Sequence, residues 1–185
     1  MYDIERSLDQ QILASSKSRP TAVFVEPTDP RVLEAVCHLT RFVRPVFLAS
    51  EAAVREVADQ YLQHVDPDRL SWAFSESAFV EIDKRPDLVE EFAQGYRELL
   101  REKGEDIDLN EARIRVSKPG LFGICAVKFN HADTVVGGAD HEAREFFRPM
   151  VKLLSKDPLV CEAGVFVLPD EHPSDIFPHN IVVFG

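Results

Sequence analysis

The feature that most constrains this fold is a pair of short apolar runs, residues 21–26 (TAVFVE) and 45–49 (PVFLA), each leading directly into an amphipathic helical pattern. Runs that are apolar nearly throughout fit strands covered on both faces. After the first, Asp29 can cap a helix with Pro30 at its first position and Val32, Leu33, Val36, Leu39 and Thr40 along one side. After the second, Ser50 can cap a helix that buries Val54, Val57, Ala58, Tyr61 and Leu62. Strands separated by helices of this length pair in parallel. The class is therefore α/β: a mainly parallel sheet with helices on both faces, three layers α/β/α, and ligands expected at the carboxyl ends of the strands.

The pattern continues. Asp66-Pro67-Asp68 breaks the second helix, and residues 78–82 read as a third short strand. Pro86 opens a long helix with an apolar row of Val89, Phe92, Tyr96 and Leu99, stopped by Gly104. Asp108 and Glu111 stand three apart, as in a capping box, before a shorter helix over 112–116, and Lys118-Pro119-Gly120 reads as a turn. Residues 124–129, 133–136, 160–168 and 180–184 read as strands. Composition shifts after Asp157-Pro158, so an N-terminal α/β domain over 1–157 and the strand-rich beginning of a second domain over 158–185 are expected. Residues 1–19 read as an amphipathic helical lead-in and a polar linker; Trp72 and the phenylalanines are spaced as core, the alternative being an aromatic platform for adenine.

Charge and cysteine usage narrow the function. With 21 basic against 32 acidic residues, a net charge of −11 argues against nucleic acid or an anionic membrane as partner. No apolar run approaches a membrane span and the first residues are too polar for a secretory leader, which implies a cytoplasmic protein. Cys37, Cys125 and Cys161 are scattered among apolar neighbours and read as reduced thiols; no metal-ligand spacing is present, so no metal is expected.

Against that acidic background, residues 133–149 (DTVVGGADHEAREFFRP) stand out. A β-branched run meets Gly137-Gly138, and the helix that follows carries Arg144, Arg148 and Lys152 in one row beside an apolar row of Ala143, Phe147, Val151 and Leu154. Paired glycines let backbone approach a ligand, a helix N-terminus attracts anions, and a guanidinium suits phosphate. The residues alone leave two readings: an anion site, or a tight turn followed by a solvated face.

Several segments carry a resemblance to the phosphate acetyl/butyryl transferase family, especially its phosphate acetyltransferases. Residues 25–36 (VEPTDPRVLEAV) resemble the family's "PE…DPRVLEAA", residues 99–104 (LLREKG) its "RKHKG", residues 121–129 (LFGICAVKF) its "FGAMLVKLG", and residues 133–149 its "DADGLVSGAVHSTADTLRP". The resemblance implies a two-domain α/β enzyme that moves an acyl group between coenzyme A and inorganic phosphate, making acetyl phosphate from acetyl-CoA. It implies neither metal nor cofactor, with coenzyme A as a substrate. By matching position, Arg148 corresponds to the substrate-binding arginine of "LRP", and Gly138 and His141 to the glycine and histidine of "SGAVH".

The departures are specific. Gly137 replaces the motif's serine, Ala143 its threonine, and the "RKHKG" arginine falls at Leu100, with Arg101 one place along and about 100° around the helix. The serine and aspartate to which the family assigns catalysis fall past Gly185, so catalytic residues are unassigned and the chain alone is expected to turn over negligibly. The site expected from the sequence is Gly137, Gly138, His141, Arg148 and Arg101. The alternative is a non-catalytic anion- or CoA-binding module. Homo-oligomers are expected from the apolar strands near the end.

Overall fold

The computed structural model describes residues 19–140, a helix over 143–154 and two strands, with side chains described for 19–140 and 146–154. His141, Cys161 and the lead-in over residues 1–18 lie outside the described residues. Ser18–Leu154 forms one compact unit. Its elements are β1 (Thr21–Phe24), α1 (Pro30–Leu39), β2 (Arg44–Phe47), α2 (Glu51–Tyr61), α3 (Pro67–Glu76), β3 (Ala78–Phe79), α4 (Pro86–Glu102), α5 (Leu109–Val116), α6 (Pro119–Lys128), β4 (Thr134–Val136) and α7 (Ala143–Leu154). In the other unit, β5 (Gly164–Val167) and β6 (Ile181–Phe184) pair antiparallel, with Val165 opposite Val183.

The sheet is parallel throughout, in the order β3-β2-β1-β4, with Val23 opposite both Val46 and Val135. Central β1 feeds two cores by simple alternation. Ala22 and Phe24 pack with Leu33 and Val36 of α1, Val54 and Ala58 of α2 and Phe74 of α3. Val23 and Val25 pack on the opposite face with Phe92 and Tyr96 of α4, Val116 of α5, Ile124 and Cys125 of α6 and Leu153 of α7. This is the three-layer arrangement the alternating pattern implies. Phe92, fully buried and edge-on to Phe122 at 5.0 Å, joins α4 to α6, and burying such a ring is worth about 1.5–3 kcal/mol.

Local chemistry sets the helix ends. The Asp29 carboxylate accepts from the Arg31 amide at 2.8 Å, Ser50 Oγ from Ala53 at 3.2 Å, and the Asp108 carboxylate from Glu111 at 2.8 Å. The Glu111 side chain does not close a capping box; it pairs with Arg115 one turn on. Gly104, at φ 79°, ends α4: the Gly104 amide donates to the Arg101 carbonyl and the Glu105 amide to Leu100.

Several readings of the sequence need correction. Tyr61, expected on the buried side of α2, is 53% exposed, and the strand expected over 78–82 covers only Ala78–Phe79. Residues 124–129 are not a strand: 124–128 belong to α6 and Phe129 is its C-cap, while Pro119 holds the first helical position rather than a turn. Asp66-Pro67-Asp68 not only ends α2 but caps and starts α3, with the Asp66 carboxylate accepting from the Asp68 and Arg69 amides at 2.9 and 3.0 Å. Trp72, on α3, is 41% exposed and so outside the core. On α7 the buried side is Phe146, Met150 and Leu153, while Phe147 is 38% exposed; the helix is turned by about one position from the expected row.

Candidate functional site

The carboxyl ends of β1 and β4 and the start of α6 meet around a cavity of about 580 Å³ lined by Val25, Glu26, Tyr96, Arg115, Lys118, Pro119, Gly120, Leu121, Gly138, Phe146 and Pro149. Two glycines allow this convergence. A Cβ on Gly123 would stand 2.7 Å from Val25 and 2.9 Å from Val135, so its absence lets α6 lie close across β1 and β4. A Cβ on Gly137 would meet Val25 at 2.5 Å and the Phe146 ring at 2.9 Å. Gly138 adopts φ 95°, a backbone that favours glycine.

The glycine turn is held by β1 and the loop that follows it. The Glu26 carboxylate, on a residue only 7% exposed, accepts the amide N–H of Ala139 at 2.7 Å and of Asp140 at 3.0 Å. Arg31 donates to the Ala139 carbonyl at 2.8 Å while its guanidinium pairs with Asp29. That hydrogen-bonded pairing holds the Asp29 carboxyl below the usual carboxylate range and raises Arg31. The two amides just beyond Gly137-Gly138 thus already serve an internal carboxylate. They stabilise the turn rather than face the cavity as free donors.

Free donor capacity lies instead at α6. Lys118 occupies its N-cap position and supplies no capping bond, Pro119 has no N–H, and the first backbone bond of the helix is Phe122 to Lys118 at 2.9 Å. Gly120 and Leu121, whose amides precede that bond, are among the residues lining the cavity. Arg115 lines it too, fixed by the Tyr96 hydroxyl and the Glu111 carboxylate, which raise its pKa in that order. Two cations and a helix N-terminus therefore line the same cavity as the Glu26 carboxylate, which is already engaged by the Ala139 and Asp140 amides. Val25, Leu121, Phe146 and Pro149 give it an apolar wall.

Of the residues singled out in the sequence, Gly138 lines this cavity and Gly137 packs behind it. Arg148, on α7, and Arg101, in the last turn of α4, are exposed and line it with no atom; His141 lies outside the described residues. Lys152 is engaged by Glu105. Lys128 ends α6 at the amino edge of the sheet, where Asp133 donates its amide to the Thr21 carbonyl at 3.0 Å. Glu26, Tyr96, Arg115 and Lys118 were not anticipated. A carboxylate ending an otherwise apolar strand was the available signal for Glu26. Reading Pro119 as a first helical residue would have exposed an uncapped helix start beside Arg115 and Lys118.

Two further cavities open along the same sheet edge, of about 570 and 460 Å³. The first is lined by Glu81 and Asp83 and the second by Glu26, Asp29 and Asp140, and neither is lined by a cationic side chain. Of these three, the 580 Å³ cavity is the one suited to an anionic ligand. Among the described residues no group of three or more His, Cys, Asp or Glu is arranged to hold a metal ion, and no helix is long and apolar enough to cross a membrane. Cys37 and Cys125 are buried and unpaired; burial pushes the Cys125 thiol up to about 12.

Comparison with known proteins bears on the family and the fold. The family model for phosphate acetyl/butaryl transferase matches residues 7–184. A phosphate acetyltransferase of Acetivibrio thermocellus is 28% identical over 167 residues, 87% of this chain and 46% of its own length. One from Staphylococcus aureus is 28% identical over 149 residues, 79% of this chain and 42% of its own. Among solved structures, the EutD phosphotransacetylase from Staphylococcus aureus superposes with a TM-score of 0.69 at 22% identity, over 99% of this chain and 49% of that one. A phosphotransacetylase from Streptococcus pyogenes gives 0.61 at 23% identity, over 89% and 46%; at these identities the two likenesses speak for the fold. The chain spans about half the length of these relatives. A model match over nearly the whole chain, on a parallel α/β unit whose cavity sits at the carboxyl ends of its strands, places this chain in the phosphate acetyl/butaryl transferase family.

Proposed function

We propose that this chain serves reversible acyl transfer between coenzyme A and inorganic phosphate, acetyl-CoA and phosphate exchanging with acetyl phosphate and free coenzyme A, in the cytoplasm and without a metal or added cofactor. The observation that carries the reading is the 580 Å³ cavity, whose lining combines two cations, Arg115 and Lys118, with the apolar Val25, Leu121, Phe146 and Pro149. Both substrates have that character: a phosphate-bearing end and an uncharged acyl or thiol-bearing stem. In the direction of acetyl-CoA formation the thiolate sulfur attacks the acyl carbon, the carbon–oxygen bond to phosphate breaks, and phosphate leaves with the electron pair. Arg115, Lys118 and the Gly120 and Leu121 amides are placed to hold that phosphate, since charge is stabilised best by donors already in position. The residues assigned here bind substrate; proton transfer is assigned to none of them.

Arg148 enters the proposal as a second phosphate contact. Its guanidinium is exposed on α7, whose Phe146 and Pro149 line the cavity. Self-association also fits the exposed Val136 on β4, an edge strand of the sheet. The test is calorimetric binding of coenzyme A and of phosphate to the intact chain, together with thiol release from acetyl-CoA in the presence of phosphate. Lys118→Ala, Arg115→Ala and Arg148→Ala are each expected to weaken binding by about 1.5–3 kcal/mol, the range for hydrogen bonds to charged groups. Unchanged affinity in the Lys118 and Arg115 variants would remove the cavity from the mechanism. Arg148→Ala reports separately on α7.

A further inference from the structure

A fourth cavity, of about 320 Å³, lies between α1 and α3 and is lined by Cys37, His38, Arg41, Asp68, Arg69 and Trp72. It is remote from the site above. The end of α1 is tied to the amino edge of the sheet, where Arg19 donates to the Thr40 carbonyl at 2.9 Å and the Arg44 amide to Pro20 at 2.8 Å. The 580 Å³ cavity is at the carboxyl edge.

We propose that this groove binds a mononucleotide, its base against Trp72 and its phosphate on Arg69 and Arg41. The chain's sole tryptophan lines this cavity and is 41% exposed. An exposed indole face is a stacking platform for a planar ring. Arg69 stands 3.1 Å from His38 Nδ1; arginine can only donate, so Nδ1 accepts, and a neutral imidazole then carries its proton on Nε2. The His38 ring thereby orients the Arg69 guanidinium and offers a further donor. Arg41, its guanidinium 4.6 Å above the Phe42 ring, is the second arginine in the lining. Guanidiniums match phosphate oxygens in pairs.

Asp68 is the one carboxylate in the lining. It disfavours a bare multivalent anion but accepts from ribose hydroxyls or an exocyclic amine, which favours a nucleotide over free phosphate. The buried Cys37 closes the floor, where burial raises its thiol pKa and leaves it uncharged. The volume falls at the small end of the roughly 300–1,000 Å³ typical of ligand pockets, the size class of one nucleotide rather than of a dinucleotide.

Trp72 is its own reporter. Titrating the intact chain with AMP should quench its fluorescence saturably, with adenosine and inorganic phosphate each binding about tenfold or more weakly, because each lacks half of the contacts. Arg69→Met should weaken AMP by a similar factor, and Arg41→Met should do so independently, each with unchanged circular dichroism. Because coenzyme A is itself an adenine nucleotide, it is titrated in parallel. An AMP response lost in Arg69→Met assigns the groove to a mononucleotide. A response to coenzyme A without one to AMP, no saturable quench by AMP, or an AMP response unchanged in both arginine variants overturns the proposal.

Discussion

At the scale of the residue, Gly137 explains a departure from the family pattern. The family motif has serine at this position, but Val25 and Phe146 already fill the space a Cβ would need, at 2.5 and 2.9 Å. Gly137→Ser should therefore cost about 1–3 kcal/mol, the usual range for overpacking. Val25→Ala in the same chain should make the double variant cost less than the two single changes added together, a coupling read from urea denaturation midpoints. Simple additivity would mean the clash is relieved elsewhere. Glu26 is the second residue on which the site depends. Glu26→Ala leaves the Ala139 and Asp140 amides without their acceptor, and a loss of about 1–3 kcal/mol is expected. Glu26→Gln keeps an acceptor oxygen and should lose less. Equal losses from both would show that charge, not hydrogen bonding, holds the turn.

At the scale of the element, the informative errors concern α6 and α3. The run from Phe122 to Ala126 is buried at every position because α6 is enclosed by β1 and β4, α4, α5 and α7. A helix buried on all sides loses its 3.6-residue periodicity and reads like a covered strand. The better signal was the proline: α1, α3, α4 and α6 all start with one, at Pro30, Pro67, Pro86 and Pro119. For α3 the decisive cap is Asp66, which receives two amides. Asp66→Ala is expected to destabilise the chain by about 0.5–2 kcal/mol, measured by chemical denaturation. A loss near zero would mean α3 is held by packing alone, through Ala73 and Phe74.

At the scale of the whole molecule, the carboxylates set the acid limit. Asp87, paired with Arg85, is depressed to about 2, and Glu90 beside Arg113, Glu105 beside Lys152 and Asp29 beside Arg31 are lowered as well. A group whose folded pKa is depressed contributes stability that is fully present above its unfolded value and is lost as pH falls through the folded one. These pairs should therefore be indifferent between about pH 5 and 8, and should weaken the fold from about pH 4.5 downward, reaching toward pH 2 for Asp87. Denaturation midpoints measured across that range should show a shallower acid slope in Asp87→Asn than in the parent chain. The Asp87–Arg85 pair is exposed, so its effect should also shrink in high salt. An acid slope unchanged by Asp87→Asn would assign the transition to other carboxylates.

What the sequence by itself determined was the layered architecture. Residues 21–26 and 45–49 are apolar on both strand faces, and Asp29, Ser50, Asp108 and Gly104 mark helix ends by local hydrogen bonding and backbone freedom, all properties of near neighbours in the chain. The resemblance to the family was likewise carried by contiguous segments, so it was legible without coordinates. The working surface was not. Which amides around Gly137-Gly138 are free depends on Glu26, more than 110 positions away in the chain, and which cations share a cavity depends on how closely α6 can lie on β1 through the missing side chain of Gly123. Trp72 has core-like spacing, yet lies exposed beside Arg69 because of how α3 packs on α1. Periodicity and caps act within a few residues and survive in the sequence, whereas a binding site is a coincidence of distant segments that only tertiary packing decides.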